Sequence, residues 1–210
     1  MPYTLFGTRG SGSAAIEIAL AACKRRFERV TASSWEPQSA QRELTRLNPM
    51  RQIPTLVLPD GSVLTESAAI LIHLGLAHPA SGLLPQVAAA RAQAIRGLVF
   101  IAANCYSAIS ISDYPERWTT ATSKPAHDKV RQGARRQLRR HWEVFADTFT
   151  GAPYLTGEAP GALDLLAAVV SKWAGTRAHV ARARPRFAAT LRRIEAHALV
   201  KPVFAAHWPA

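Results

Sequence analysis

Four short segments of this 210-residue chain carry side chains able to bind or activate a ligand. The first is Thr8-Arg9-Gly10-Ser11-Gly12-Ser13, a polar loop between a β-prone run and a helical stretch. Such a loop presents backbone N–H groups and hydroxyls at a helix N-terminus, where anions are favoured. The same hydroxyls also serve as plain helix caps, Ser11 or Ser13 in this case. The second segment, Asn48-Pro49-Met50-Arg51-Gln52-Ile53-Pro54-Thr55-Leu56, has a proline at the mouth of a strand, where it removes a ladder donor. A cis Ile53–Pro54 bond would turn the chain and leave the Ile53 backbone free for a ligand, while an ordinary trans proline opening an edge strand also fits. The third, Thr65-Glu66-Ser67-Ala68-Ala69-Ile70, joins a carboxylate, a hydroxyl and open helix N–H groups. It suits a zwitterion, Glu66 taking an ammonium while Ser67 and the helix end take a carboxylate. Alone it is also a cap. The fourth, Gly157 to Asp164, sets Asp164 three residues after Gly161, the spacing of a capping box with glycine in the cap seat. That spacing marks a folding determinant rather than a catalyst.

The elements around these segments fall into two kinds. Tyr3–Phe6 is a short β run ended by Gly7, and Ser13 opens a helix with Ile16, Leu20 and Cys23 on one face. Phe27–Thr31 is a weaker β run. Pro54–Leu58 and Ser62–Leu64 flank Pro59-Asp60-Gly61, a hairpin signal. Ala68–Leu76 is helical. The order is β-α-β, a polar connecting segment, then β-β-α. A linker with Pro, Ser and Gly follows at 79–86, and beyond it strand signals nearly vanish. Val87–Ser110, Ala126–Phe149, Ala162–Ala174 and Pro185–Leu199 each show helical periodicity.

Composition narrows the function classes. Hydrophobic residues make up 48% and charged residues 19%, an ordinary globular balance. No stretch approaches the roughly 18 uninterrupted apolar residues of a membrane span. Cys23 and Cys105 lie far apart, form no CxxC pair and suit a reducing compartment. Seven histidines show no ligand spacing, so no metal site is expected. The glycines match neither a dinucleotide fingerprint nor a phosphate loop. Lys and Arg number 26 against 14 Asp and Glu, a net charge of +12. The excess concentrates at Arg131–His141 and Arg177–Arg193, with apolar residues interleaved at helical spacing. This reads as solvated basic helix faces rather than a specific nucleic-acid surface.

Taken in order and spacing, the serine loop, NPxxQIPTL, the Pro-Asp-Gly hairpin, TESAAI and Leu83-Leu84-Pro85 resemble the glutathione S-transferase family. The first strand and helix are similar to the bacterial beta and related zeta and theta-like classes. The resemblance spans essentially the whole chain and is strongest in its first part. It implies an α/β thioredoxin-like domain with a mixed four-stranded sheet at 1–78, the linker at 79–86 and an all-helical bundle at 87–210. Glutathione is then the co-substrate. Pro54 is implied to be cis, the Ile53 backbone to pair with the cysteinyl unit, and Glu66 and Ser67 to hold the γ-glutamyl end, with Gln52 beside them. Ser11 matches the serine that donates to the glutathione sulfur in serine-type classes, with Arg9, Ser13 and Arg51 as secondary candidates. An electrophile pocket between the domains has Thr8, Asn104, Tyr106, Tyr114 and Trp118 as candidates, although such aromatics equally build cores. Gly12 occupies the beta-class cysteine position, which removes mixed-disulfide chemistry from that seat. Met50-Arg51 and Gly161 also depart from the family pattern. The expected protein is a cytoplasmic, homodimeric glutathione transferase of a detoxifying kind acting on a small hydrophobic electrophile, with isomerase or peroxidase side activity. The alternative is a non-catalytic glutathione-fold binding or regulatory protein.

Overall fold

The computed structural model describes residues 1–209. β1 (Tyr3–Gly7) alternates in side-chain direction, so Leu5 and Phe6 point to opposite faces, and both are buried. The sheet is therefore covered on both sides. β1 pairs in parallel with β2 (Phe27–Thr31) and antiparallel with β3 (Thr55–Val57), which pairs antiparallel with β4 (Val63–Leu64). The strand order β2-β1-β3-β4 makes a mixed four-stranded sheet of thioredoxin-like type. The β3–β4 turn is held by Asp60, whose Oδ1 accepts the Ser62 N–H at 2.9 Å.

α1 (Ser13–Ala22) and α3 (Ser67–Ala77) join the hydrophobic cluster that contains Leu5 and Leu56. The opposite face carries Phe6 and is closed by α2 (Gln41–Leu47) through Leu44. α2 lies in the segment that reads as a polar connection in the sequence. It buries one residue of seven, too few to print a helical period.

The rest of the chain is helical: α4 (Ala88–Phe100), α5 (Ser107–Asp113), α6 (Lys124–Thr148), α7 (Ala162–Val170), α8 (Thr176–Ala183), α9 (Pro185–Ala196) and α10 (Lys201–His207). α4 and α5 are joined by a π-helical turn, Ile101–Tyr106. Together they form a run, Ala88–Asp113, long and apolar enough by composition to cross a membrane. Its Leu98, Ile101, Cys105 and Ala108 pack into the bundle core. Along α6, Ala134, Leu138, Trp142 and Phe145 recur every three to four residues and face inward. Arg136, Arg139 and Arg140 are left exposed, a solvated basic face of the kind the periodicity implies.

α7 is buried along its whole length. Its only ionisable residue, Asp164, accepts the N–H groups of Gly161 (3.1 Å) and Leu155 (2.7 Å) and the Thr156 hydroxyl (2.7 Å). The capping spacing read from the sequence is thus realised. Burial raises the carboxyl pKa, and the three bonds oppose that rise. One hydrophobic core runs through both parts of the chain, with Leu71 and Leu74 of α3 in the same cluster as Leu98 and Leu163.

Candidate active site

The site is assembled where loops 8–13 and 48–54 and the start of α3 meet the π turn and α5. In the first loop, Ser11 Oγ donates to the Thr8 carbonyl at 2.7 Å. It accepts the Ser13 N–H at 3.3 Å and lies 2.9 Å from Ser13 Oγ. Ser13 is fully buried, and its hydroxyl reaches the same Thr8 carbonyl at 3.3 Å. Both hydroxyls therefore brace the loop. Ser11 lines the cleft, but its proton is committed to Thr8. Thr8 is buried, with Oγ1 donating to both Glu36 carboxylate oxygens at 2.9 Å. It does not line the cleft, which corrects its placement as a pocket candidate.

Gly10 is gripped from the far end of the chain. Its N–H donates to His207 Nδ1 at 3.2 Å, which leaves the imidazole proton on Nε2 to reach Glu17 Oε1 at 2.9 Å. Its carbonyl accepts the Trp173 indole N–H at 3.2 Å, and Arg9 Nε donates to the Ala206 carbonyl at 3.0 Å. Arg9 thus faces α10 rather than the cleft. Neither His207 nor Trp173 stands out in the sequence, because their partners lie more than 160 residues away.

In the second loop, the Ile53–Pro54 bond is cis. Asn48 Nδ2 and Thr55 Oγ1 both donate to the Gln52 carbonyl, at 3.0 and 2.9 Å, and hold the turn. The backbone N–H and C=O of Ile53 have no partner among the described residues. At the start of α3, Glu66 adopts a φ of 64°, a conformation non-glycine residues seldom hold without a local demand. Its carboxylate is exposed and unpaired among the described residues, beside the nearly buried Ser67.

These groups open onto a cleft of about 910 Å³. Gly12, Gln52, Ile53, Pro54, Glu66 and Ser67 form one wall, with Arg51 and Met50 at its side. Tyr106, Ile109, Tyr114, Trp118 and Trp173 form the other. Asn104 is not among them: its Nδ2 donates to the Phe100 carbonyl at 3.0 Å, and its own carbonyl lies 3.1 Å from His141 Nδ1. Its backbone carbonyl meets α6, and residues two apart in a helix point to nearly opposite sides, so Tyr106 takes the cleft side. Arg117 stacks over the Tyr114 ring at 4.0 Å. Burial raises the Asp113 carboxyl pKa at the cleft edge, against the pull of Arg135 and Arg131. Burial likewise pushes the Tyr106 phenol up to about 12, so it is a protonated donor at neutral pH. Cys105, one residue earlier, is buried away from the cleft, and its thiol is pushed upward too.

The arrangement can hold a small zwitterionic peptide. Free backbone groups suit its middle, a carboxylate and hydroxyl suit one end, and a helix N-terminus beside a phenol suits an anion.

Known proteins share this architecture. The family model described as Glutathione S-transferase, N-terminal domain, matches residues 1–75. An uncharacterized GST-like protein of Escherichia coli (strain K12), YncG, is 30% identical over 171 residues, covering 80% of each chain. A probable maleylacetoacetate isomerase of Caenorhabditis elegans is 39% identical over 93 residues, 43% of this chain and 42% of that one. Among solved structures, a sphingomonad glutathione S-transferase complexed with glutathione superposes with a TM-score of 0.77 at 25% identity, over 99% of this chain and 100% of that one. A Sulfitobacter glutathione transferase homologue with bound glutathione reaches 0.83 at 22% identity over 96% of both. With the sheet order, the cis proline and a relative of this identity and coverage in agreement, the chain belongs to the glutathione S-transferase family.

Proposed function

We propose that the protein is a glutathione transferase that joins the glutathione thiolate to a small hydrophobic electrophile. The observation that carries this reading is the Ile53 backbone and the Glu66 carboxylate, both without partners among the described residues, on one wall of the cleft beside the Ser67 hydroxyl. In it, Ile53 pairs with the cysteinyl backbone, Gln52 lies alongside, and Glu66 and Ser67 take the γ-glutamyl ammonium and carboxylate. The sulfur then sits at the N-terminal end of α1, near Ser11 and Gly12. The thiol proton leaves to solvent, the sulfur lone pair forms a carbon–sulfur bond, and the leaving group departs with its bonding electrons. Tyr114, Trp118 and Ile109 offer the electrophile an apolar seat, with Arg51 and Arg117 near its rim. The sphingomonad relative, solved in complex with glutathione, supports glutathione as the ligand.

Millimolar glutathione should stabilise the fold, by about 2.7 kcal/mol when its concentration is 100 times Kd. Calorimetry with glutathione, followed by conjugation of chlorodinitrobenzene, tests the two halves of the reading. An unmoved Tm removes glutathione. Binding without turnover of chlorodinitrobenzene or other electrophiles leaves a non-catalytic glutathione-binding protein. A cytoplasmic two-fold dimer belongs to the same proposal, with exposed Val87 and Val99 on or beside α4 facing the partner. Sedimentation at the 22.8 kDa monomer mass refutes the dimer.

A further inference from the structure

Gly12 has φ −60° and ψ −16°, values open to every amino acid, so its backbone does not demand glycine. Its surroundings do. A Cβ built there would come within 2.5 Å of the Tyr106 Oη, 3.3 Å of Pro54 Cδ and 3.4 Å of Ser67 Oγ. The phenol of the second half of the chain therefore occupies the space a side chain at position 12 would fill. It does so at the N-terminal end of α1 and between two residues of the peptide-holding wall. Tyr106 ends the π turn, a local register change of the kind found at functional sites. Its ring leans on Trp173, with centroids 5.7 Å apart, and Trp173 is itself tied to the Gly10 carbonyl. The phenol is thus aimed at the loop and held there.

The hydroxyls closer in sequence are engaged elsewhere. Ser11 donates to Thr8 at 2.7 Å, and Ser13 is sealed beneath the loop. Two hydroxyls face both Gly12 and the cleft: Ser67, which the glutathione reading assigns to the γ-glutamyl carboxylate, and Tyr106, which lies closer to Gly12. We propose that Tyr106 is a catalytic residue whose phenol donates the hydrogen bond that stabilises the glutathione thiolate, in the space that Gly12 leaves open. This rests on the glutathione reading above, since it is the peptide wall that brings the sulfur to α1.

The test is the pKa of the bound thiol, read from the ultraviolet thiolate band as the glutathione complex is titrated. In Tyr106→Phe that pKa should rise by about one unit or more, and kcat/KM for chlorodinitrobenzene at neutral pH should fall about tenfold or more. The lost rate should return as pH is raised through the new pKa. Affinity for S-methylglutathione, which has no thiol proton, should stay within about threefold of wild type. Gly12→Ala, which drives a methyl group into the phenol, should reproduce the raised pKa through a different residue. A bound-thiol pKa unmoved in Tyr106→Phe, or moved instead by Ser11→Ala, overturns the proposal while glutathione binding stands. An equal loss of S-methylglutathione affinity overturns it as well, since the phenol would then hold the peptide rather than the sulfur. Failure of the wild-type protein to bind glutathione at all overturns the underlying reading and the proposal together.

Discussion

Replacing His207 with alanine tests whether the last helix governs the ligand loop. The imidazole is 3% exposed and makes two bonds, to the Gly10 N–H at 3.2 Å and to Glu17 at 2.9 Å. Truncation leaves a half-buried amide and a nearly buried carboxylate without their partner. An unsatisfied buried group costs about 1–3 kcal/mol, and more when charged. Glu17 retains Arg29 at 3.6 Å, but that guanidinium is half-exposed and its pull is screened by solvent. The two losses sum to about 2–5 kcal/mol. For a chain of this length, that lowers Tm by about 4–20 °C. Urea unfolding of His207→Ala, Glu17→Ala and the double variant measures the loss and its origin. Removing Glu17 should cost less once His207 is gone, with a coupling of about 1–3 kcal/mol. Glutathione affinity should weaken in parallel as the Gly10 turn slackens. A loss under about 1 kcal/mol together with additive single variants refutes the clasp.

Glu66→Ala should weaken glutathione binding about 10- to 150-fold in titration calorimetry, the equivalent of losing one charge-assisted bond of roughly 1.5–3 kcal/mol. Unchanged affinity would leave Glu66 a purely conformational role. Asp164→Ala strips three donors of their acceptor in the centre of the bundle and should cost about 3–5 kcal/mol in urea unfolding, with the fold's cooperativity as a second readout. Because the Tyr106 phenol titrates higher in the folded protein than in the unfolded chain, its contribution is complete below about pH 10 and is lost as pH rises through about 12. The stability difference between wild type and Tyr106→Phe should accordingly shift toward the variant by roughly 2–3 kcal/mol across that window, and a flat difference would place the phenol in contact with solvent.

Much of the first half was legible because its signals are local. A short β-prone run ended by Gly7 marked β1, Pro59-Asp60-Gly61 marked the hairpin, and Ile53-Pro54 with Glu66-Ser67 marked one wall of the cleft. Asp164 showed its capping role through spacing alone. The long helices were visible from their period and from the Pro- or Gly-bearing joints between them, but the register change inside Val87–Ser110 was not. The π turn looks like continuous helix in sequence, and which of Asn104 and Tyr106 meets the cleft depends on how that helix is set against α6. α10 is seven residues long, and its value lies in contacts with Gly10 and Glu17 some 190 residues away. Loop hydroxyls were recognisable as a group, but their directions depend on which carbonyl lies within 3 Å, and no pattern of residue types states that. Gly12 could be read only as a missing side chain. What it makes room for lies on another element.

The clasp between α10 and the Gly10 loop also orders events during synthesis. About 130 residues separate the end of α3 from His207. At roughly 5–20 residues per second, they take about 6–26 s to emerge from a ribosome. For that interval the first sheet and its helices are outside the tunnel, while the Gly10 amide and the Glu17 carboxylate face water instead of an imidazole. Trp173 and Tyr106 arrive before the clasp closes, so the cleft gains its second wall first and its final tension last. A nascent chain stalled before Lys201 therefore displays the wall built from Ile53, Glu66 and Ser67 while the Gly10 loop still lacks its clasp.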